Sequence, residues 1–322
     1  MAKDFQTVLL IKKLLPRPAW RALRGALMLV LKWLLRVFGL VATRRNDFNS
    51  PLPDVEALRA NRLRWDKPSA MAGVSYDLDG IKSNLKAMMT DFGSELNTLP
   101  SYDALQKLGL GWGMPYIDLQ VLYLMIRSNR PTRYLEVGSG ASTYMANLAA
   151  RKNAAEGHPC EITCIEPYPN KSLAELEGIK LIVKEAQSVA PSMFEVLADG
   201  DMLFVDSSHI AKIDSDVPFL LLEVIPRLRP GVTVHVHDTP FPYNTPYPAD
   251  FWIFNDSVPP MFWNEAMLTQ AFLCFNNCWK IKLSTPLIRH YDEPFLKALL
   301  PAYQGITSQP NTFSSLWLKR VN

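Results

Sequence analysis

The sequence predicts an α/β fold with a largely parallel sheet covered by helices on both faces. Three observations predict it. From residue 131 onward, short apolar segments alternate with helical ones. The apolar segments are rich in Val, Ile and Leu, as strands covered on both faces are. The first of them runs into a glycine turn, Gly138-Ser139-Gly140, where an open α/β sheet binds its ligand.

The strand candidates are Arg133–Val137, Glu161–Ile165, Lys180–Lys184, Asp201–Val205 and Val232–Val236, with helices near 143–151, 171–176, 192–197 and 217–228. Two later segments, Trp279–Leu283 and Ser315–Val321, read as further strands, and a helix over 263–276 precedes the first. Residues 51–130, entered through Pro51 and Pro53, read as a helical extension; its last helix, 118–128, follows a loop with Gly109, Gly111, Gly113 and Pro115. The expected organisation is therefore a basic amphipathic segment over 1–50, the extension over 51–130, and a ligand-binding sheet domain over 131–322.

The chain has 322 residues, 48% of them hydrophobic, enough for a full core. Its net charge of +3 is uneven: residues 1–50 hold ten Lys or Arg against two Asp. The body is mildly acidic, which argues against a nucleic-acid-binding core. Cys160, Cys164, Cys274 and Cys278 lack zinc-knuckle spacing and read as buried free thiols in a reducing, cytoplasmic setting.

Between Trp20 and Ala42 the only charged residues are Arg21, Arg24, Lys32 and Arg36. At about 100° per residue they share one arc, while Leu23, Leu27, Val30, Leu31, Leu34, Val37 and Phe38 form the opposite face. That pattern fits a helix lying in a membrane interface over 20–42. A helix packing on its own protein or on a second copy, a transmembrane span and a transit peptide remain alternatives.

The glycine turn lacks the third glycine of a dinucleotide fingerprint, since Thr143 stands there. Instead Glu136 precedes Gly138 by two positions. A carboxylate there disfavours pyrophosphate and suits a ligand with an ammonium group, such as S-adenosylmethionine. A second acid, Glu166, ends the second strand, where a carboxylate can accept ribose hydroxyls. Gln187 follows the third, placed for an adenine edge.

With these segments the chain resembles class I S-adenosylmethionine-dependent methyltransferases over roughly residues 115–285. The likeness lies in EVGSG-ST, CIEPYP, LFVDSSH, PRLRPGV and VHVHD. It implies a Rossmann-like, seven-stranded, mostly parallel sheet with an antiparallel last strand. It also implies methionine-moiety binding by Glu136, Gly138, Ser139 and Gly140, and ribose binding by Glu166. Ser142 departs from the glycine many members carry.

The fourth and fifth strands end in Asp206-Ser207-Ser208-His209 and His235-Val236-His237-Asp238. Asp206, beside the cofactor, joins His237 and Asp238 as a candidate metal triad. Carboxylates favour magnesium, and an imidazole shifts the choice toward manganese, iron or zinc. The layout resembles catechol O-methyltransferase, where an aspartate stands at the His237 position and a lysine base at the His209 offset. His209 is thus the candidate general base, with Asp206 orienting the acceptor hydroxyl. His235 reads as a buried structural histidine, and Asp214, Ser215 and Asp216 as helix caps. The loop 239–260, dense in Pro and aromatics, reads as an acceptor lid or as a loop packed on the core.

The expected function is O-methylation of a hydroxyl on a sugar, glycolipid or secondary metabolite, on a chain with room for peripheral membrane contact and homo-oligomerisation. A metal-using hydroxylase of the same fold and a non-catalytic membrane-associated binding protein are the alternatives.

Overall fold

The computed structural model describes residues 16–41, 49–110, 113–306 and 313–322. The basic stretches 1–15 and 42–48, Gly111, Trp112 and residues 307–312 lie outside the described residues. Contacts divide the chain into two compact units, residues 1–58 and residues 59–322.

In the first unit, helix α1 spans Arg17–Val37, with Pro18 in its first turn and no acid there. In the second unit, β1 (Arg133–Val137), β2 (Glu161–Ile165), β3 (Ile179–Ile182), β4 (Met202–Val205), β5 (Thr233–Val236), β6 (Trp279–Ser284) and β7 (Leu316–Arg320) form one sheet. Its order is β3-β2-β1-β4-β5-β7-β6. β1 to β5 pair in parallel and β7 runs antiparallel to both β5 and β6. The Rossmann-like sheet with an antiparallel last strand is thus present. The order turns outward on both sides of β1 and β4, which sets the switch point at their carboxyl ends.

Five larger helices belong to this unit: α2 (Leu78–Phe92), α3 (Tyr116–Asn129), α4 (Ala141–Ala155), α5 (Glu265–Leu273) and α6 (Thr285–Leu299). α3 is buried on nearly every side, because Ile117, Leu119, Val121, Leu122, Leu124 and their neighbours leave no polar face. Residues 59–130 lie in the same compact unit as the sheet. Two expected helices differ. Over 192–197 the chain makes only a 3-10 turn, Pro191–Met193. Over 217–228 it passes through an α turn, a π segment (Phe219–Val224) and a 3-10 turn, with Pro218 and Pro226 interrupting regular hydrogen bonding. Of the thiols only Cys164 is buried; Cys278 is exposed because it lies in the loop entering β6.

Candidate active site

The ends of β1 and β4 nearly touch. Gly138 has φ +79°, and a Cβ there would stand 2.0 Å from the Asp206 carbonyl oxygen. A Cβ on Gly140 would stand 2.5 Å from the Leu110 carbonyl oxygen. Both glycines thus answer close backbone approach within the protein. The Ser139 amide donates to Glu166 Oε2 at 3.2 Å and the Tyr168 amide to Oε1 at 2.7 Å, fixing that carboxylate at the end of β2.

Two adjoining cavities, about 500 Å³ and 310 Å³, share Gly138, Glu166, Tyr168, Asp206 and Ser207. Gln187 lines the larger, and Ser139 and Gly140 the smaller. Glu136 lines neither. It is fully buried behind the turn, accepting from Ser142 Oγ. Burial pushes its pKa to about 8, against the hydrogen bonds of Ser142 and Thr143, and the Asp206 and Glu166 charges add to the rise. The structure thus brings Gly138, Ser139, Gly140, Glu166, Gln187 and Asp206 to one crevice and leaves Glu136 one layer beneath it.

Beyond β4 and β5 lies a compact charged cluster. His209 and Asp238 both adopt left-handed backbone, φ +59° and +52°, a strained state for residues with side chains. The Ser208 amide and hydroxyl donate to Asp216, so this acid holds the 207–209 turn besides starting a helix. His209 Nε2 stands 3.2 Å from Asp206 Oδ1 and 3.2 Å from Asp238 Oδ2. Its Nδ1 stands 2.8 Å from Glu265 Oε2, which also accepts from Ser207 Oγ at 2.9 Å. His237 bridges two acids, with Nδ1 3.3 Å from Asp206 and Nε2 3.3 Å from Asp118.

Burial disfavours charge here, yet the groups compensate one another. Desolvation would lower the pKa values of His209 and His237, but Asp238, Asp206 and, for His209, Glu265 hold both well above the ordinary histidine value. Desolvation would raise Asp206, but the two imidazoles hold it well below the usual carboxylate range. Burial raises Glu265, opposed by His209. The surrounding carboxylates thus favour the charged form of both imidazoles. His235 is the structural residue expected: it stacks on Trp317 at 3.7 Å and meets Ser315 Oγ at 2.8 Å, and burial drives its pKa well below normal.

Asp118 carries no role in the sequence reading, and Glu265 only a place in the helix expected over 263–276. An acid on a helix as apolar as α3 was the available signal for Asp118, since a buried carboxylate needs a partner. In the loop 239–260, Phe241 is buried and Tyr243 stacks on Tyr247 at 4.0 Å. Tyr247, Trp252 and Trp263 line a pocket of about 10 Å³ with Asp238, and Trp263 also packs 4.7 Å from the His209 ring. Asp206 lines both adjoining cavities and Asp238 this aromatic one, and His209 Nε2 lies within 3.2 Å of each acid.

Residues 135–239 match the family model of a methyltransferase domain. The solved structures similar to the chain include the O-methyltransferase TomG of Streptomyces achromogenes, involved in tomaymycin synthesis, in complex with SAM. Identity is 16%, over 77% of this chain and 92% of that one, with a TM-score of 0.40. The O-methyltransferase of Bacillus cereus in complex with SAH is 12% identical over 75% of this chain and all of that one, with a TM-score of 0.37. No curated protein matches the chain.

Proposed function

We propose that the chain is an S-adenosylmethionine-dependent O-methyltransferase acting on a hydroxyl of a small molecule or glycan. The observation that carries this reading is the pair of 3.2 Å contacts from His209 Nε2 to Asp206, which lines the crevice of the glycine turn, and to Asp238, which lines the aromatic pocket. The cofactor would lie in the two adjoining cavities, a volume suited to a ligand of its size. Glu166, already oriented by two backbone amides, keeps lone pairs for the ribose diol. The turn 138–140 would border the methionine portion, with Glu136 supporting the turn from beneath, and Gln187 would meet the adenine edge. When bound, the cofactor supplies an electrophilic methyl group on a sulfonium leaving group.

The chain's own task is then to align the acceptor oxygen and receive its proton. Glu265 accepts from Nδ1 of His209 and so leaves Nε2 as the face toward the acceptor. Because the neighbouring carboxylates favour its charged form, the ring must give up the Nε2 proton to act as a base, and the rate climbs with pH. Tyr247, Trp252 and Trp263 suit a sugar or planar ring. Their pocket is narrow, so loop 239–260 must shift to admit one.

A second reading has an observation of its own. One atom each from Asp206, His209 and Asp238 lie within 4.8 Å of one another. This oxygen–nitrogen–oxygen set fits a divalent ion such as manganese or iron, with magnesium less favoured by the imidazole, and Glu265 would fix the ligating tautomer. His209, rather than His237, supplies the nitrogen of this converging set. A bound ion would supply a Lewis acid for the hydroxyl.

Transfer of labelled methyl from S-adenosylmethionine to a panel of catechols, sugars and glycolipids tests the reading, with His209→Ala and Asp206→Ala as variants. Full activity in both variants overturns the assignment. Absence of adenosylhomocysteine binding, with stoichiometric iron in the purified protein, favours a hydroxylase.

A further inference from the structure

Helix α1 presents the apolar face that its sequence spacing requires. Leu23, Leu27, Val30, Leu31, Leu34, Val37 and Phe38 are all exposed, Leu27 at 60% and Phe38 at 74%. Trp33, 65% exposed, and Leu40 and Val41 extend the apolar surface around and beyond the helix end. An exposed stripe of this kind marks an interaction surface. The opposite face carries Arg17, Arg21, Lys32 and Arg36, and the helix contains no acidic residue.

We propose that α1 binds the surface of an anionic lipid bilayer, lying in the interface with its apolar face toward the acyl chains. Charge complementarity selects this occupant. Anionic headgroups answer this basic helix, whereas a second copy would add a second helix of the same charge with no acid on either to pair the cations. Position at the surface rather than across the membrane follows from the same cations. Among the described residues no helix is long and apolar enough to cross a membrane. Trp33 lies at the edge of the apolar face, where an indole sits well at headgroup depth. The inference is independent of the methyltransferase chemistry.

The experiment is flotation of the full chain with vesicles of phosphatidylcholine alone and of phosphatidylcholine mixed with phosphatidylglycerol. Binding to the anionic vesicles, weakened by salt, is expected. Lys32→Gln and Arg36→Gln should each weaken it about fivefold. Leu34→Glu with Phe38→Glu should abolish it, while methyl transfer or adenosylhomocysteine binding in solution stays unchanged and reports an intact fold. No binding to anionic vesicles overturns the proposal. So does equal binding by the Leu34→Glu, Phe38→Glu variant, or a wild-type dimer that this variant dissolves.

Discussion

Glu265 Oε2 stands 2.8 Å from His209 Nδ1, so the imidazole at the end of β4 is held by the first residue of α5 across 56 positions of sequence. Glu265 is itself buried, with its other oxygen unpaired. A carboxylate in that position fixes the tautomer and raises the ring's basicity. Glu265→Gln keeps the shape and removes the charge. Labelled methyl transfer should fall by about 10- to 100-fold. Losing an anion disfavours the imidazolium, so the rising limb of the pH–rate profile should move to lower pH. A lower rate with an unmoved limb would reduce Glu265 to a packing role.

Glu166 lines both adjoining cavities and is pre-oriented by two backbone amides. Glu166→Gln should weaken adenosylhomocysteine binding by about 10- to 100-fold, the worth of a hydrogen bond to a charged group. Calorimetry measures it. Unchanged affinity would place the ribose elsewhere.

The parts legible in the sequence were those that local pattern controls. β1 and β2 fall where the Val, Ile and Leu runs predict, and Gly138, Glu166, Asp206, His209 and Asp238 meet because strand ends in such a sheet share one rim. What was not legible depends on packing between distant segments. Helix α6 went unread because Pro286 and Pro294 lie within it, and Asp292 breaks its helical geometry. Asp118 reaches His237 across 119 positions, and no local pattern encodes that pairing. The alternation along β1 says that Glu136 and Val137 face opposite sides, but not that Glu136 is sealed beneath its own turn.

Gly138 and Gly157 separate the cost of a left-handed backbone from that of a clash. Both have positive φ, +79° and +90°, but a Cβ at Gly157 meets nothing within 4 Å, whereas one at Gly138 meets the Asp206 carbonyl. Gly157→Ala should lose about 1–2 kcal/mol in urea denaturation. Gly138→Ala should lose at least about 2 kcal/mol more, because the β1 and β4 ends must part. It should also weaken adenosylhomocysteine binding, since Asp206 and Glu166 border the opened turn. Equal losses would mean that the strand ends yield without strain.

Glu136 gives the protein a pH dependence whose sign can be worked out. Burial raises its folded pKa to about 8, while in the unfolded chain it titrates near the ordinary glutamate value, about 4.3. Between those values the folded protein holds a proton that the unfolded one has released. The contribution of Glu136 to stability is therefore fully present below the unfolded value, shrinks as pH rises, and is gone above about 8. Glu136→Gln keeps an oxygen for the Ser142 hydroxyl and has no charge to bury. Against the wild type, the variant should be close in stability at pH 5 and gain steadily to pH 8, so the two urea midpoints separate as pH rises. Parallel curves across that range would mean that Glu136 is ionised in the folded state, and hence that a cation reaches it through the glycine turn.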